Sequence, residues 1–233
     1  MVMQSSDVPL VIFDLDGTLV DTAPDLAAAL NHCLGIAGHD ADALDVVRPH
    51  AGHGARAMLT AAYERRGLVL SEAEMQAALD RFLSHYEAHI ADTSRPYPHV
   101  VAAMDDLAAA GFALAVCTNK REALAQLLLD KLGLSPRFSA ICGADTVPNR
   151  KPHPGHVEAT IARAGRPTAR AVMVGDSAAD IEAADAADIA SILVDFGYAP
   201  DEQARRKASC EISDYRELTP DLVDRLVAAR TAG

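Results

Sequence analysis

Residues 10–13, Leu-Val-Ile-Phe, form an unbroken apolar run of strand length, and the chain then turns abruptly acidic and glycine-containing at Asp14-Leu15-Asp16-Gly17-Thr18-Leu19-Val20-Asp21. A continuous apolar run that stops at acid and glycine predicts a buried parallel strand whose carboxyl end opens into a tight turn. From about Thr22 to Asp92 the period becomes helical with hardly any strand signal. Amphipathic stretches begin at Pro24-Asp25-Leu26 and run over residues 54–65 and 72–90. The proline-containing segment Asp92-Thr93-Ser94-Arg95-Pro96-Tyr97-Pro98 suits an extended linker. Beyond it, helical and strand patterns alternate: helix 100–110, strand 112–117, helix 121–132, strand 138–142, helix 155–164, strand 171–174, helix 178–187 and strand 190–194. Strands alternating with helices predict an α/β architecture, a parallel sheet built of right-handed crossovers. The helical region is then an insertion after the first strand, which divides the chain into an α/β core (1–21 and 93–233) and an all-helical module (22–92).

Composition narrows the function classes. The 233 residues are 50% apolar, enough for one good core and a smaller second domain. A net charge of -12, with no long run among the 21 Lys and Arg, argues against a nucleic-acid partner. If the ligand is an anion, the positive charge that meets it must be local. No apolar stretch approaches membrane-spanning length, and the N-terminal Met1-Val2-Met3-Gln4-Ser5-Ser6-Asp7 lacks the basic and apolar parts of a signal peptide, so a cytoplasmic protein with no membrane partner is expected. Cys33, Cys117, Cys142 and Cys210 are scattered without a Cys-x-x-Cys pair and read as small buried hydrophobes.

The candidate chemistry lies where strands end. Two carboxylates one residue apart, Asp14 and Asp16, repel each other at the dry end of a strand unless a cation sits between them or one keeps its proton. The strand over 112–117 ends in Thr118-Asn119, a hydroxyl and an amide just before a helix N-terminus, where free backbone amides favour phosphate. Asn149-Arg150-Lys151-Pro152-His153-Pro154 fixes a lysine in a rigid loop as a point charge. The strand over 171–174 runs into Gly175-Asp176-Ser177-Ala178-Ala179-Asp180, a second acidic pair at the start of a helix.

These motifs, in this order and spanning the chain, resemble the four motifs of the haloacid dehalogenase superfamily: Asp14-x-Asp16-Gly17-Thr18, Thr118, Lys151 and Gly175-Asp176-Ser177-x-x-Asp180. The resemblance implies a Rossmann-like parallel core carrying an inserted helical cap, and a phosphatase that needs Mg2+. Asp14 is then the nucleophile and Asp16 the acid and base. Asp14, Asp176, the backbone carbonyl of Asp16, and Asp180 would hold the metal, while Thr118, Asn119 and Lys151 would hold the phosphoryl oxygens. The run Arg48-Pro49-His50-Ala51-Gly52-His53-Gly54-Ala55-Arg56, together with Phe82-Leu83-Ser84-His85-Tyr86, Cys117-Thr118-Asn119-Lys120 and Phe196-Gly197-Tyr198, is similar to bacterial phosphoglycolate phosphatases. That similarity makes 2-phosphoglycolate the expected substrate, with His53 or Arg56 as the candidate partner of its carboxylate.

Alternatives at this stage are a sugar-phosphate phosphatase, including one acting on N-acetylmuramate 6-phosphate, and a phosphomutase of the β-phosphoglucomutase kind. Dehalogenation is disfavoured, because relatives with that activity lack the second acid, and a silent binding protein would not need every motif position. The expected partner is a small anionic phosphomonoester, and the chain is expected as a monomer or homodimer. Gly52-x-Gly54-x-x-Ala57 follows Pro49 rather than a strand and so fails as a dinucleotide fingerprint. His85 and His89 stand four apart on one helix with no third metal ligand nearby, and His153 and His156 read as surface residues. Ala186-Ala187-Asp188 replaces the glycine that relatives usually place after the last motif helix.

Overall fold

The computed structural model describes residues 9–166 and 170–231, so the leader segment considered above, residues 1–7, lies outside the described residues. In chain order the first elements are β1 (Leu10–Phe13), β2 (Val20–Asp21), α1 (Ala23–Ile36), α2 (Leu44–Val47), α3 (Ala55–Glu64), α4 (Glu72–Ala88) and β3 (Arg95–Pro96). They are followed by α5 (Val100–Ala109), β4 (Ala113–Cys117), α6 (Glu122–Lys131), β5 (Ala140–Cys142), α7 (Pro154–Arg163), β6 (Ala171–Gly175), α8 (Ala178–Ala186), β7 (Ala190–Val194), α9 (Glu202–Lys207), β8 (Cys210–Ile212) and α10 (Pro220–Thr231). The chain divides into two compact units, Met1–Val20 with Pro96–Gly233, and Asp21–Arg95.

The first unit is a six-stranded sheet in the order β5-β4-β1-β6-β7-β8, parallel at every pairing. β1 is central, its Leu10 opposite Ala113 on one side and Ala171 on the other. Strand order reverses there: the chain winds outward through β4 and β5, then returns to β6 and winds the other way. An open α/β sheet binds ligands outside the carboxyl ends of its strands at such a switch point. All four residues of β1 are fully buried, as expected for a parallel strand covered on both faces. One covering layer packs Val157 and Ile161 of α7 and Ala183 and Ala184 of α8 on Leu10, Ile12, Cys117 and Met173. The small α8 side chains let that helix approach the sheet closely.

The second unit is helical, with Leu30, Cys33, Leu34, Leu59, Ala62 and Phe82 in its interior. Its entry and exit are tied by Asp25, which is buried in the first turn of α1. The Asp25 carboxylate accepts hydrogen bonds from the Ser94 amide at 2.8 Å, the Ser94 hydroxyl at 2.6 Å, the Thr93 amide at 3.0 Å, and the Thr93 hydroxyl. Arg48 pairs with Asp21 at 2.7 Å. α4 starts with a capping box in which Ser71 and Glu74 satisfy each other's backbone amides.

Two readings of single residues need correction. His156 is not a surface residue: it lies on the inner face of α7, fully buried, and its Nδ1 accepts the Lys151 amide hydrogen at 3.3 Å. His153, by contrast, is exposed and caps α7 through Gly155. Cys33, Cys117 and Cys142 are buried as expected, but Cys210 on the edge strand β8 is only half-buried. No helix among the described residues is long and apolar enough to cross a membrane.

Candidate active site

Four loops at the carboxyl ends of β1, β4 and β6 and before α7 bring the motif side chains of the first unit together. Asp14 follows β1, and its amide continues the sheet by donating to the Val174 carbonyl at 2.9 Å. The turn after it is closed by the Gly17 amide on the Val20 carbonyl and the Val20 amide on the Leu15 carbonyl, both at 3.0 Å. Gly17 has φ +84°, and a Cβ there would come within 2.4 Å of Asp176 Oδ2, so this position requires glycine for both conformation and space.

Asp14, Asp176 and Asp180 each present a carboxylate oxygen within 4.8 Å of the others. Asp176 is 3% exposed and held by the Tyr198 amide at 2.6 Å, with the Thr18 hydroxyl at 3.4 Å. A Cβ at Gly197 would stand 2.1 Å from the Asp176 Cβ, so the loop after β7 also forms part of the cradle. Asp180 reaches back to its N-cap, its Oδ2 accepting from the Ser177 amide at 3.1 Å and hydroxyl at 2.6 Å. Its Oδ1 meets Lys151 Nζ at 2.6 Å. Lys151, 3% exposed, also donates to the Cys117 carbonyl at 2.5 Å and stands 2.9 Å from Asp14 Oδ1. That last contact is an ion pair without hydrogen-bond alignment, so Asp14 Oδ1 is a buried oxygen lacking a hydrogen-bond partner.

The electrostatics follow from this crowding. Burial pushes the Asp14 carboxyl up to about 6, with Asp180 and Asp16 adding to the rise and Lys151 opposing it. Burial, then Asp180 and Asp14, push Asp176 up to about 8. Burial works against the Lys151 charge, yet Asp14 and Asp180 together hold its ammonium well above the ordinary lysine range. His156 is driven down to about 4 by burial and by the Lys151 charge, so a neutral imidazole supports the lysine loop from behind. One ammonium does not balance three buried carboxylates, and a hard divalent cation with all-oxygen ligands suits the remainder.

Thr118 is buried, and its Oγ1 accepts the Lys120 amide hydrogen at 3.2 Å. Asn119 spends its side-chain amide on the Lys151 carbonyl at 3.0 Å, steadying the lysine loop, while its Oδ1 is buried without a hydrogen-bond partner. Asp16 forms a two-pronged ion pair with Lys120, at 2.8 and 2.9 Å. The structure thus gathers Asp14, Asp16, Thr118, Asn119, Lys151, Asp176 and Asp180. His53 and Arg56 belong to the helical unit, at the end of the 310 segment Arg48–His53 and in the first turn of α3, and Arg56 pairs with Glu72 at 2.8 and 3.1 Å. Sequence reasoning did not single out Thr18, Tyr198 or Lys120 as site residues. Thr18 belongs to the first motif, Tyr198 to the run Phe196-Gly197-Tyr198 and Lys120 to the run Cys117-Thr118-Asn119-Lys120, and for Lys120 the adjacency to Thr118-Asn119 at a strand end was the available signal.

Comparison with known proteins agrees with this arrangement. The profile of the haloacid dehalogenase-like hydrolases matches residues 11–194. The chain is 45% identical over 224 residues to the phosphoglycolate phosphatase of Agrobacterium fabrum, covering 96% of each chain. It is also 45% identical over 223 residues to that of Mesorhizobium japonicum, covering 95% of this chain and 97% of the relative. The crystal structure of a predicted phosphoglycolate phosphatase from Haemophilus somnus superposes with a TM-score of 0.83 at 30% identity, over 92% of this chain and 98% of that one. The chain is therefore an enzyme, a phosphoric monoester hydrolase, and it belongs to the haloacid dehalogenase-like hydrolase family.

Proposed function

We propose that this enzyme hydrolyses 2-phosphoglycolate to glycolate and phosphate through a phosphoryl group carried on Asp14, with Mg2+ as cofactor. The observation that supports the chemistry best is the convergence of Asp14 after β1, Asp176 after the adjacent strand β6, and Asp180 in the first turn of α8. The choice of substrate follows the curated relatives named above. In this reading a carboxylate oxygen of Asp14 bonds to phosphorus as the ester P–O bond breaks. Asp16 gives its proton to the departing alkoxide, then accepts one from the water that hydrolyses the aspartyl phosphate. The Lys151 ammonium, the Thr118 hydroxyl and Asn119 hold the transferring phosphoryl oxygens.

Asp14, Asp176, the backbone carbonyl of Asp16, and Asp180 would hold Mg2+, which supplies the positive charge that lets a carboxylate approach a phosphomonoester dianion. The oxygen-only donor set and the raised Asp14 and Asp176 carboxyls fit a hard cation. In this reading the helical residues 22–92 are the counterpart of the family's inserted cap module, 1–21 with 93–233 are the catalytic core, and His53 and Arg56 are the candidate specificity residues.

The test is the initial rate of phosphate release, with and without Mg2+, from 2-phosphoglycolate, hexose phosphates, N-acetylmuramate 6-phosphate and β-glucose 1-phosphate. Magnesium-dependent preference for 2-phosphoglycolate is expected. Preference for a sugar phosphate overturns the substrate, and full activity without a divalent cation overturns the cofactor.

A further inference from the structure

Lys120 is a buried cation beside the catalytic carboxylates. Its side chain is 7% exposed, and its ammonium stands 2.8 and 2.9 Å from the two oxygens of Asp16, whose side chain is 12% exposed. The backbone holds it in place: its amide donates to Thr118 Oγ1 at 3.2 Å, and its carbonyl accepts from the Ala144 amide at 2.9 Å. A buried lysine–carboxylate pair contributes little net stability, because the cost of desolvating both charges offsets their attraction. Stability alone therefore does not account for a lysine here.

We propose that Lys120 is the carboxylate-binding subsite for the leaving part of the substrate, a step that rests on the reading of Asp16 as the general acid and of 2-phosphoglycolate as the substrate. A general acid must come within hydrogen-bond reach of the oxygen it protonates, roughly 3 Å. In 2-phosphoglycolate the carboxylate carbon is two covalent bonds from that oxygen. A group that close to the leaving oxygen can come within reach of an ammonium that touches both Asp16 oxygens. The same contact shows that the Lys120 ammonium donates to both oxygens of a carboxylate beside it. An ammonium in a site shielded from water favours a carboxylate over a hydroxyl through a charge-assisted bond.

Lys120 differs from Lys151 and Arg56 in that its partner is the proposed general acid. Lys151 is occupied by Asp14, Asp180 and the Cys117 carbonyl, on the phosphoryl side. Arg56, in the helical unit, is forked onto Glu72. On a chain of net charge -12, an acidic leaving group needs a local cation, and Lys120 provides it inside the core unit.

The test compares 2-phosphoglycolate with 2-hydroxyethyl phosphate, which keeps the size and the phosphate but loses the carboxylate. Wild-type enzyme is expected to favour 2-phosphoglycolate in kcat/KM. Lys120→Met should cut that ratio roughly tenfold to a hundredfold, and Lys120→Arg should retain part of it. An equal loss on both esters in Lys120→Met overturns the subsite and leaves Lys120 serving only Asp16. A wild-type ratio near one overturns the substrate reading and the subsite with it, and is recognised before any substitution is made. If Lys120→Met turns over neither ester, calorimetric binding of the two esters in the Asp14→Asn background decides. A selective loss of 2-phosphoglycolate affinity on adding Lys120→Met supports the subsite, and an unchanged ratio of affinities overturns it.

Discussion

Asp14 is subject to opposed forces: burial and its acidic neighbours favour the protonated carboxyl, and Lys151 favours the charged one. Asp14→Asn preserves the shape, removes the proposed nucleophile and lowers the crowding of negative charge. Phosphate release should fall at least about a thousandfold, with a cooperative melting transition retained, and residual activity near wild type would rule out Asp14 as nucleophile. Asp188 belongs to the same scale. It takes the left-handed φ of +56° after α8 and pairs with Arg230 at 2.9 Å. Aspartate tolerates that conformation and a β-branched residue does not, so Asp188→Val should cost about 1–2 kcal/mol in denaturant unfolding, whereas Asp188→Asn should be nearly neutral. The acids were legible in the sequence because each belongs to a short local motif that follows an apolar strand run. Lys120, Thr18 and Tyr198 were not, since each matters through a contact with a residue far away along the chain: Asp16 for Lys120, and Asp176 for the other two. His156 was misread because proximity to a polar loop says nothing about which face of α7 it occupies.

At the scale of elements, the alternation of strand and helix from residue 100 onward was legible because parallel strands buried on both faces leave unbroken apolar runs. β8 and α10 were not read. β8 is a three-residue edge strand, Cys-Glu-Ile, with only Ile212 buried, so its pattern carries too few positions to register. α2 is a single short turn, and β2 and β3 are two residues each, below what periodicity can resolve. The bond network of Asp25 was equally hidden, because an acid in a helix's first turn normally signals only the helix dipole. Here it gathers the amides and hydroxyls of Thr93 and Ser94. Asp25→Ala leaves the buried amide and hydroxyl of Ser94 without their acceptor and should destabilise the protein by about 1–3 kcal/mol in urea unfolding. An effect below 0.5 kcal/mol would mean that water replaces the carboxylate.

For the whole molecule, the crowded carboxylates link stability to pH. Asp14 and Asp176 titrate near 6 and 8 in the folded chain and about 3.9 when unfolded, so between these values the folded state binds more protons. Their contribution destabilises the metal-free protein progressively as pH rises from about 4 through 8, and vanishes below about 4. The proposed Mg2+ site needs ionised carboxylates, so the rise in Tm on adding Mg2+ should be larger at pH 8 than at pH 5. A Mg2+ shift equal at both pH values would contradict this linkage. The position of β1 has a further consequence, for biosynthesis. Among the described strands, β1 comes first in chain order yet lies at the middle of the finished sheet, and both of its neighbours, β4 and β6, are made after the helical unit. Until then Leu-Val-Ile-Phe has two open edges, the kind of segment that pairs with the wrong chain. Nascent chains halted before β6 should expose this segment to protease and chaperones, and those that include α8 should protect it.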